Sequence, residues 1–224
     1  MDWNALKLSL LLAASTLGVL LPLGVWLGRL LAWRQFPGKV FVEALLALPL
    51  VLPPTVLGFY LLVAMGANSQ LGQWYQALAG RQLVFSFDGL LIASLLFNLP
   101  FAIQPMQRAF EAIPPEVREA ARCCGMSAWR RLWRIELALA WPGILSAAVL
   151  TFAHTLGEFG VVLMVGGSIP GETRTLAIAL YDRVQAFDTA GAATMSAVLL
   201  AIALTAMAVS YMALDRVLRP SRHD

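Results

Sequence analysis

Charge is scarce in this chain. Only 13% of its 224 residues are Asp, Glu, Lys or Arg, about half the share of an ordinary soluble domain. Cysteine is nearly absent as well: Cys123 and Cys124 are the only two, and they are adjacent. No disulfide framework and no CxxC metal knuckle follow from such a pair, which reads instead as two small packing residues. The two histidines, His154 and His223, lie far apart, so no metal site is supported. The pattern GxxxxGK[ST] does not occur, so the chain is not expected to hydrolyse ATP or to carry a cofactor of its own. Internal repeats and low-complexity tracts are also lacking.

Apolar sequence is what the chain has in quantity: 59% of residues are hydrophobic and mean hydropathy is +0.74. These residues fall into five runs, each long enough to cross a hydrocarbon core about 30 Å thick. They cover residues 8–31, 40–65, 89–107, 143–165 and 191–214. The first is too long for a signal-peptide core and its start is not basic, so it reads as an uncleaved span. The second holds Pro49, Pro53 and Pro54, which free backbone carbonyls for neighbours or for a water-lined path beside Thr55. Between spans, LGQWYQAL predicts a short surface helix with interfacial aromatics. Residues 175–186 are amphipathic and read as an external helix rather than a sixth span. The expected fold is an all-α polytopic bundle, one membrane domain over 1–224, with about five spans and six possible.

Basic residues fix an expected orientation. One side of a five-span chain receives Arg29, Arg34, Lys39, Arg108, Arg118, Arg122, Arg130, Arg131, Arg134, Arg216, Arg219 and Arg222. The other receives Lys7, Arg81, Arg174 and Arg183. Positive residues collect in the cytoplasm, which places the N-terminus outside and the C-terminus inside.

Residues 114–143 form the longest strongly basic interval between spans. Pro114 and Pro115 suit a helix start, and Glu116 and Glu119 favour its positive end. Gly125 can end that helix in a left-handed conformation, and Ser127 can cap a second one. The expectation is a helix, a glycine turn and a helix leading into the next span.

Glu119-Ala120-Ala121, three residues, Gly125, nine residues, Ile135 and Leu137 resemble the EAA loop of binding-protein-dependent ABC importer permeases. Ala138 stands where that pattern has proline; here the proline comes at Pro142. The resemblance implies a type I importer fold with a cytoplasmic coupling loop at about 111–141. In it Glu119, Ala120, Ala121 and Gly125 would engage an ATPase subunit, which binds the ATP and Mg. It also implies a second copy of the chain, a periplasmic or extracellular oxyanion-binding protein, and location in the cell inner membrane. The stretch TLGEFGVVLMVGGSIPGETRTLAIALYD, with LPLVLPPTVLGFYLL in the second span, is similar to the molybdate branch of these permeases, sulfate and tungstate being the alternatives.

The fourth span carries the most chemistry. His154 and Glu158 are four apart, with Thr151 and Thr155 adjoining, and Asn98 lies in the third span. Ionisable groups at such depth face the bundle interior or a water cavity. Two readings stand: a His–Glu hydrogen-bonded packing pair, or a place on the translocation path or its gate. An ionised Glu158 would repel a dianion, so passive anion binding is not its role. A gradient-driven secondary transporter would use the same pair as a proton relay. An intramembrane enzyme would need a further reactive group, and none converges. Nucleic acid is not implied, since topology accounts for the arginines.

Overall fold

Asp2 opens the first helix: its Oδ1 accepts the Ala5 backbone N–H at 2.9 Å, satisfying one of the end donors that a helix leaves bare. From there α1 runs Trp3–Trp33, roughly 46 Å at 1.5 Å per residue. The computed structural model describes residues 1–218, and no strand occurs among them. Helices α2 (Lys39–Val51), α3 (Pro54–Met65), α4 (Gln70–Ala79), α5 (Phe87–Glu111) and α6 (Pro115–Cys123) follow. Then come α7 (Ala128–Arg131), a π-helical turn (Leu132–Glu136), α8 (Leu137–Gly157), α9 (Gly160–Gly166), α10 (Leu176–Gln185) and α11 (Thr189–Leu218). Arg219, Arg222 and His223 lie outside the described residues.

The core is a three-helix unit of α1, α5 and α8. Close approach is made possible by missing side chains. A Cβ on Gly28 of α1 would sit 2.9 Å from the Gln107 backbone nitrogen, and one on Gly143 of α8 would meet the Ala109 Cβ at 2.3 Å. Small residues are the usual means by which membrane helices pack, because lipid offers no hydrophobic drive to bring them together. Helix α5 is the centre: 56% of its most apolar window is buried, against 11% for α11. Helix α11 therefore lies at the edge, against α8 and α10.

Four helical stretches are long and apolar enough to cross a membrane, and a fifth only if α2 and α3 count together. The second span, expected as one run over 40–65, is instead two helices that meet at 111°. Pro53 and Pro54 explain the break. The residue before a proline is driven out of the helical region, and Leu52 and Pro53 are both extended (ψ 137° and 134°) before Pro54 begins α3. A second correction concerns the fourth span, expected over 143–165. Helix α8 stops at Gly157; Glu158 is extended (ψ 129°), and α9 starts afresh at Gly160. Short helices form at both places where they were anticipated, as α4 and α10, the first turn of α10 being buried in the bundle. Ten residues each are too few to cross a bilayer.

One charged cluster joins the core to the basic interval. Glu136, wholly buried, takes the Arg131 Nε at 2.9 Å and the Arg29 Nε of α1 at 2.6 Å. The π-helical turn ends on this residue. Removing one partner from a buried pair strands the other charge. Glu136→Gln keeps the shape and loses the charge. Its unfolding free energy in detergent should fall by on the order of 3 kcal/mol, whereas exposed Glu116→Gln should barely shift the thermal midpoint.

Candidate functional site

Two regions carry polar chemistry: a buried cluster between α1, α5 and α8, and the basic interval beyond α5. The first begins with Thr16 Oγ1 and Ser94 Oγ, 2.9 Å apart. Asn98, fully buried, donates its amide N–H to the Ser94 carbonyl at 2.8 Å. Its Oδ1 is thereby left to accept from His154 Nδ1 at 3.0 Å, which assigns the proton to Nδ1. Phe101 stacks on the imidazole with ring centroids 4.0 Å apart, and Phe97 lies at 5.0 Å. Both rings hold the imidazole in one orientation.

The expected His154–Glu158 pair is not formed. Helix α8 ends between them, and the buried Glu158 carboxylate instead accepts the Val161 N–H at 2.8 Å, capping α9. A proton relay built on that pair therefore has no geometric support. Thr155 Oγ1 donates back to the Thr151 carbonyl at 2.7 Å. Thr151 Oγ1 is buried without a hydrogen-bond partner among the described residues. Exposed Thr55 sits at the start of α3, where Pro54 packs against Gly160 of α9. Sequence reasoning missed Thr16 and Ser94. Ser94 stands one helical turn before Asn98 and was findable; Thr16, on another helix, had no signal.

Between α2 and α5 lies a cavity of about 520 Å³, lined in part by Lys39, Glu43, Gln104, Gln107, Arg108 and Glu111. Gln107 donates to Glu43 at 2.8 Å and to Glu111 at 2.9 Å. This is a mixed-charge cavity at the end of α5 that precedes the basic interval.

The basic interval forms the ordered element expected of it. Pro115 occupies the first turn of α6. Gly125 takes φ +72°, with Met126 N–H bonding the Ala121 carbonyl at 3.1 Å and Gly125 N–H the Arg122 carbonyl at 2.9 Å. That pair of bonds is the Schellman ending, which favours glycine at the left-handed position. Ser127 Oγ then accepts the Arg130 N–H at 3.3 Å to start α7. Glu119 and Ala120 face outward, whereas Ala121 is buried within the chain. Cys123 and Cys124 are both exposed thiols, not the packing residues expected, because α6 turns that end away from the bundle. Arg118 stacks over Trp33 of α1 at 3.6 Å, and Trp33 Nε1 donates to the Phe110 carbonyl at 3.1 Å. Helix α6 is thus pinned to the ends of α1 and α5.

Residues 21–223 match the family model described as the binding-protein-dependent transport system inner membrane component. The chain belongs to this family. It is similar to the molybdenum transport system permease protein ModB of Azotobacter vinelandii, 47% identical over 191 residues, covering 85% of this chain and 84% of the relative. The ModB permease of Escherichia coli K12 is 36% identical over 210 residues, covering 93% and 92%. Among solved structures, a chain of a bacterial alginate ABC transporter, in complex with an alginate pentasaccharide-bound periplasmic protein, superposes with a TM-score of 0.78. It covers 97% of this chain and 80% of that one at 16% identity, so the likeness is one of fold.

The capping geometry separates two roles for Glu158. Gln retains an acceptor for the Val161 N–H, whereas Leu does not. Glu158→Gln should unfold within about 0.5 kcal/mol of the parent and Glu158→Leu about 1–2 kcal/mol below it, measured by thermal unfolding in detergent. Equal losses for the two variants would assign the residue's importance to its charge.

Proposed function

We propose that this chain is the molybdate-translocating permease subunit of an ATP-driven importer. It is a multi-pass inner-membrane protein and not an enzyme. Two copies would form the pathway, an ATPase subunit would seat against each α6, and an oxyanion-binding protein would deliver substrate from outside. The observation that carries this reading is the rigid α6–Gly125–α7 element, with Glu119 and Ala120 on its free surface. The names of the 47% and 36% identical relatives supply the substrate.

The charge asymmetry supports an outside N-terminus and a cytoplasmic C-terminus, with one transmembrane domain over 1–224 and its coupling loop at about 111–141. ATP and Mg would be held by the ATPase subunit. Closure of the paired ATPases would push the two α6 elements together. Through the Glu136 cluster and the Arg118–Trp33 contact, that push reaches α1, α5 and α8. Reorientation of the two copies would then alternate access to the pathway. Thr55, Asn98, Thr151, His154 and Thr155 are its candidate lining; Glu158 holds α9 in place beside them. The cavity at Lys39 and Arg108 would be the inner mouth; Glu43 and Glu111 offset those two cations, so it would pass an oxyanion rather than hold it.

The coupling role is tested at α6. Glu119→Lys reverses the exposed charge, and Gly125→Asp puts a side chain where φ is +72°. Each should cut transport by roughly tenfold or more, the effect of about 1.4 kcal/mol in coupling. Insertion into the membrane should persist. Normal transport with normal ATPase stimulation in both variants would overturn the assignment.

Substrate identity is tested by uptake of labelled molybdate into proteoliposomes holding the complete complex and its binding protein. Unlabelled molybdate and tungstate should compete, and sulfate should compete weakly. Stronger competition by sulfate would make this a sulfate permease. Uptake that persists without the ATPase subunit would place the chain among gradient-driven carriers.

A further inference from the structure

Five arginines converge where α1 meets the basic interval. A cavity of about 420 Å³ lies between the end of α1, α6 and α7, lined by Arg29, Arg34, Arg118, Arg122 and Arg131. They come from three separate parts of the chain, so no run of basic sequence explains their meeting. The carboxylate at hand is Glu136, and Arg29 and Arg131 already hold it. Among the described residues, Arg34, Arg118 and Arg122 form no ion pair. The cluster therefore carries four positive charges in excess.

A second observation concerns one of these five side chains, Arg118, stacked over Trp33. The Nε–H of Arg118 is buried and has no hydrogen-bond partner. Burial pushes this guanidinium's pKa below its usual value; Glu136 pulls it back up, and nearby Arg122, Arg131 and Arg29 push it down again. Like charges held together at this density cost free energy unless an anion sits among them. Arginine forks match tetrahedral oxyanions and phosphodiesters in particular, through paired N–H donors.

The apolar lining of the cavity narrows the choice of anion. Trp26, 60% exposed, and Leu30 supply it, both on the final turns of α1. An apolar wall joined to a cationic pocket is the shape that accepts acyl chains and a charged headgroup together.

We propose that this five-arginine cavity binds a phosphate group, carried by an anionic membrane lipid whose chains lie along Trp26 and Leu30. That the lipid belongs to the inner leaflet rests on the proposed orientation; the binding itself does not. A phosphate seated here bridges α1 to α6, so it ties the coupling element to the membrane and makes its stiffness depend on lipid charge. A free oxyanion is the other source of the same chemistry.

The test uses the intact permease–ATPase complex in detergent, with phosphatidylglycerol or phosphatidylcholine added back and bound lipid counted by native mass spectrometry. The parent complex should retain phosphatidylglycerol in preference. Arg34→Gln should lower that retention roughly fivefold, and the double variant Arg34→Gln with Arg118→Gln by a similar factor again, the effect of one basic side chain at an anionic surface each time. Arg134→Gln, outside the cavity, should change nothing. The single Arg34 variant, between helices, serves if the double variant fails to assemble.

Thermal stabilisation by inorganic phosphate or molybdate, lost in the Arg34 variant, with no lipid preference, would assign the site to a free anion. Equal lipid retention in parent and variants, with no stabilisation by either anion, overturns the proposal. It would leave the cavity to an acidic side chain of the ATPase. Neither readout requires transport, so failure here is separate from failure of the molybdate reading.

Discussion

A carboxylate sealed from water cannot be left alone, and that constraint organises the end of the bundle nearest α6. Glu136 sits at the junction of the π-helical turn and α8, with no accessible surface. Its charge costs several kcal/mol to bury and is tolerable only beside Arg29 and Arg131. Those two belong to α1 and α7. Separating any one of the three elements would strand a charge, so they move together or not at all. Trp33 adds the fourth member, holding Arg118 of α6 on one side and the Phe110 carbonyl of α5 on the other. A displacement of α6 would therefore reach the three-helix core through the Arg118–Trp33 contact and the Gly125 turn.

Much of this architecture was legible as pattern. Long apolar runs marked the helices that cross, and Pro114, Pro115, Gly125 and Ser127 marked the helix–turn–helix closely, because capping is local chemistry. What failed was whatever depended on angle or on distant partners. Pro53 and Pro54 announced a break but not a turn of 111°, which is set by how α3 packs on α9. The end of α8 at Gly157 was hidden because GVVLMV continues the apolar run past it. The Glu136 cluster was invisible for a plain reason: Arg29 lies 107 residues away. His154 and Glu158 illustrate the same limit from the other side. Their spacing of four predicted a shared face, and the end of helix α8 between them sent the first to Asn98 and the second to Val161.

Rigidity in one part implies that motion is confined to another. Alternating access needs something to shift against the α1–α5–α8 unit, and burial indicates where. Helix α2 has no buried residue; Val40 and Phe41 are more than 70% exposed, and its packing, chiefly against α5, includes the polar Gln107–Glu43 contact. A polar contact of that kind can be exchanged for water at small cost, unlike the interlocked glycine contacts of the core. The bend between α2 and α3 separates this loosely held segment from α3, which is fastened to α9 by Pro54 against Gly160 and by Gly58 against Met164. The apolar faces of α2 would be covered by lipid or by the second copy in the proposed homodimer. In either case the weakest intrachain attachment adjoins the cavity lined by Lys39 and Arg108. On the proposed reading, substrate passage and this loosely held segment would meet in one place, while α6, the proposed coupling element, is fastened to the α1–α5–α8 unit.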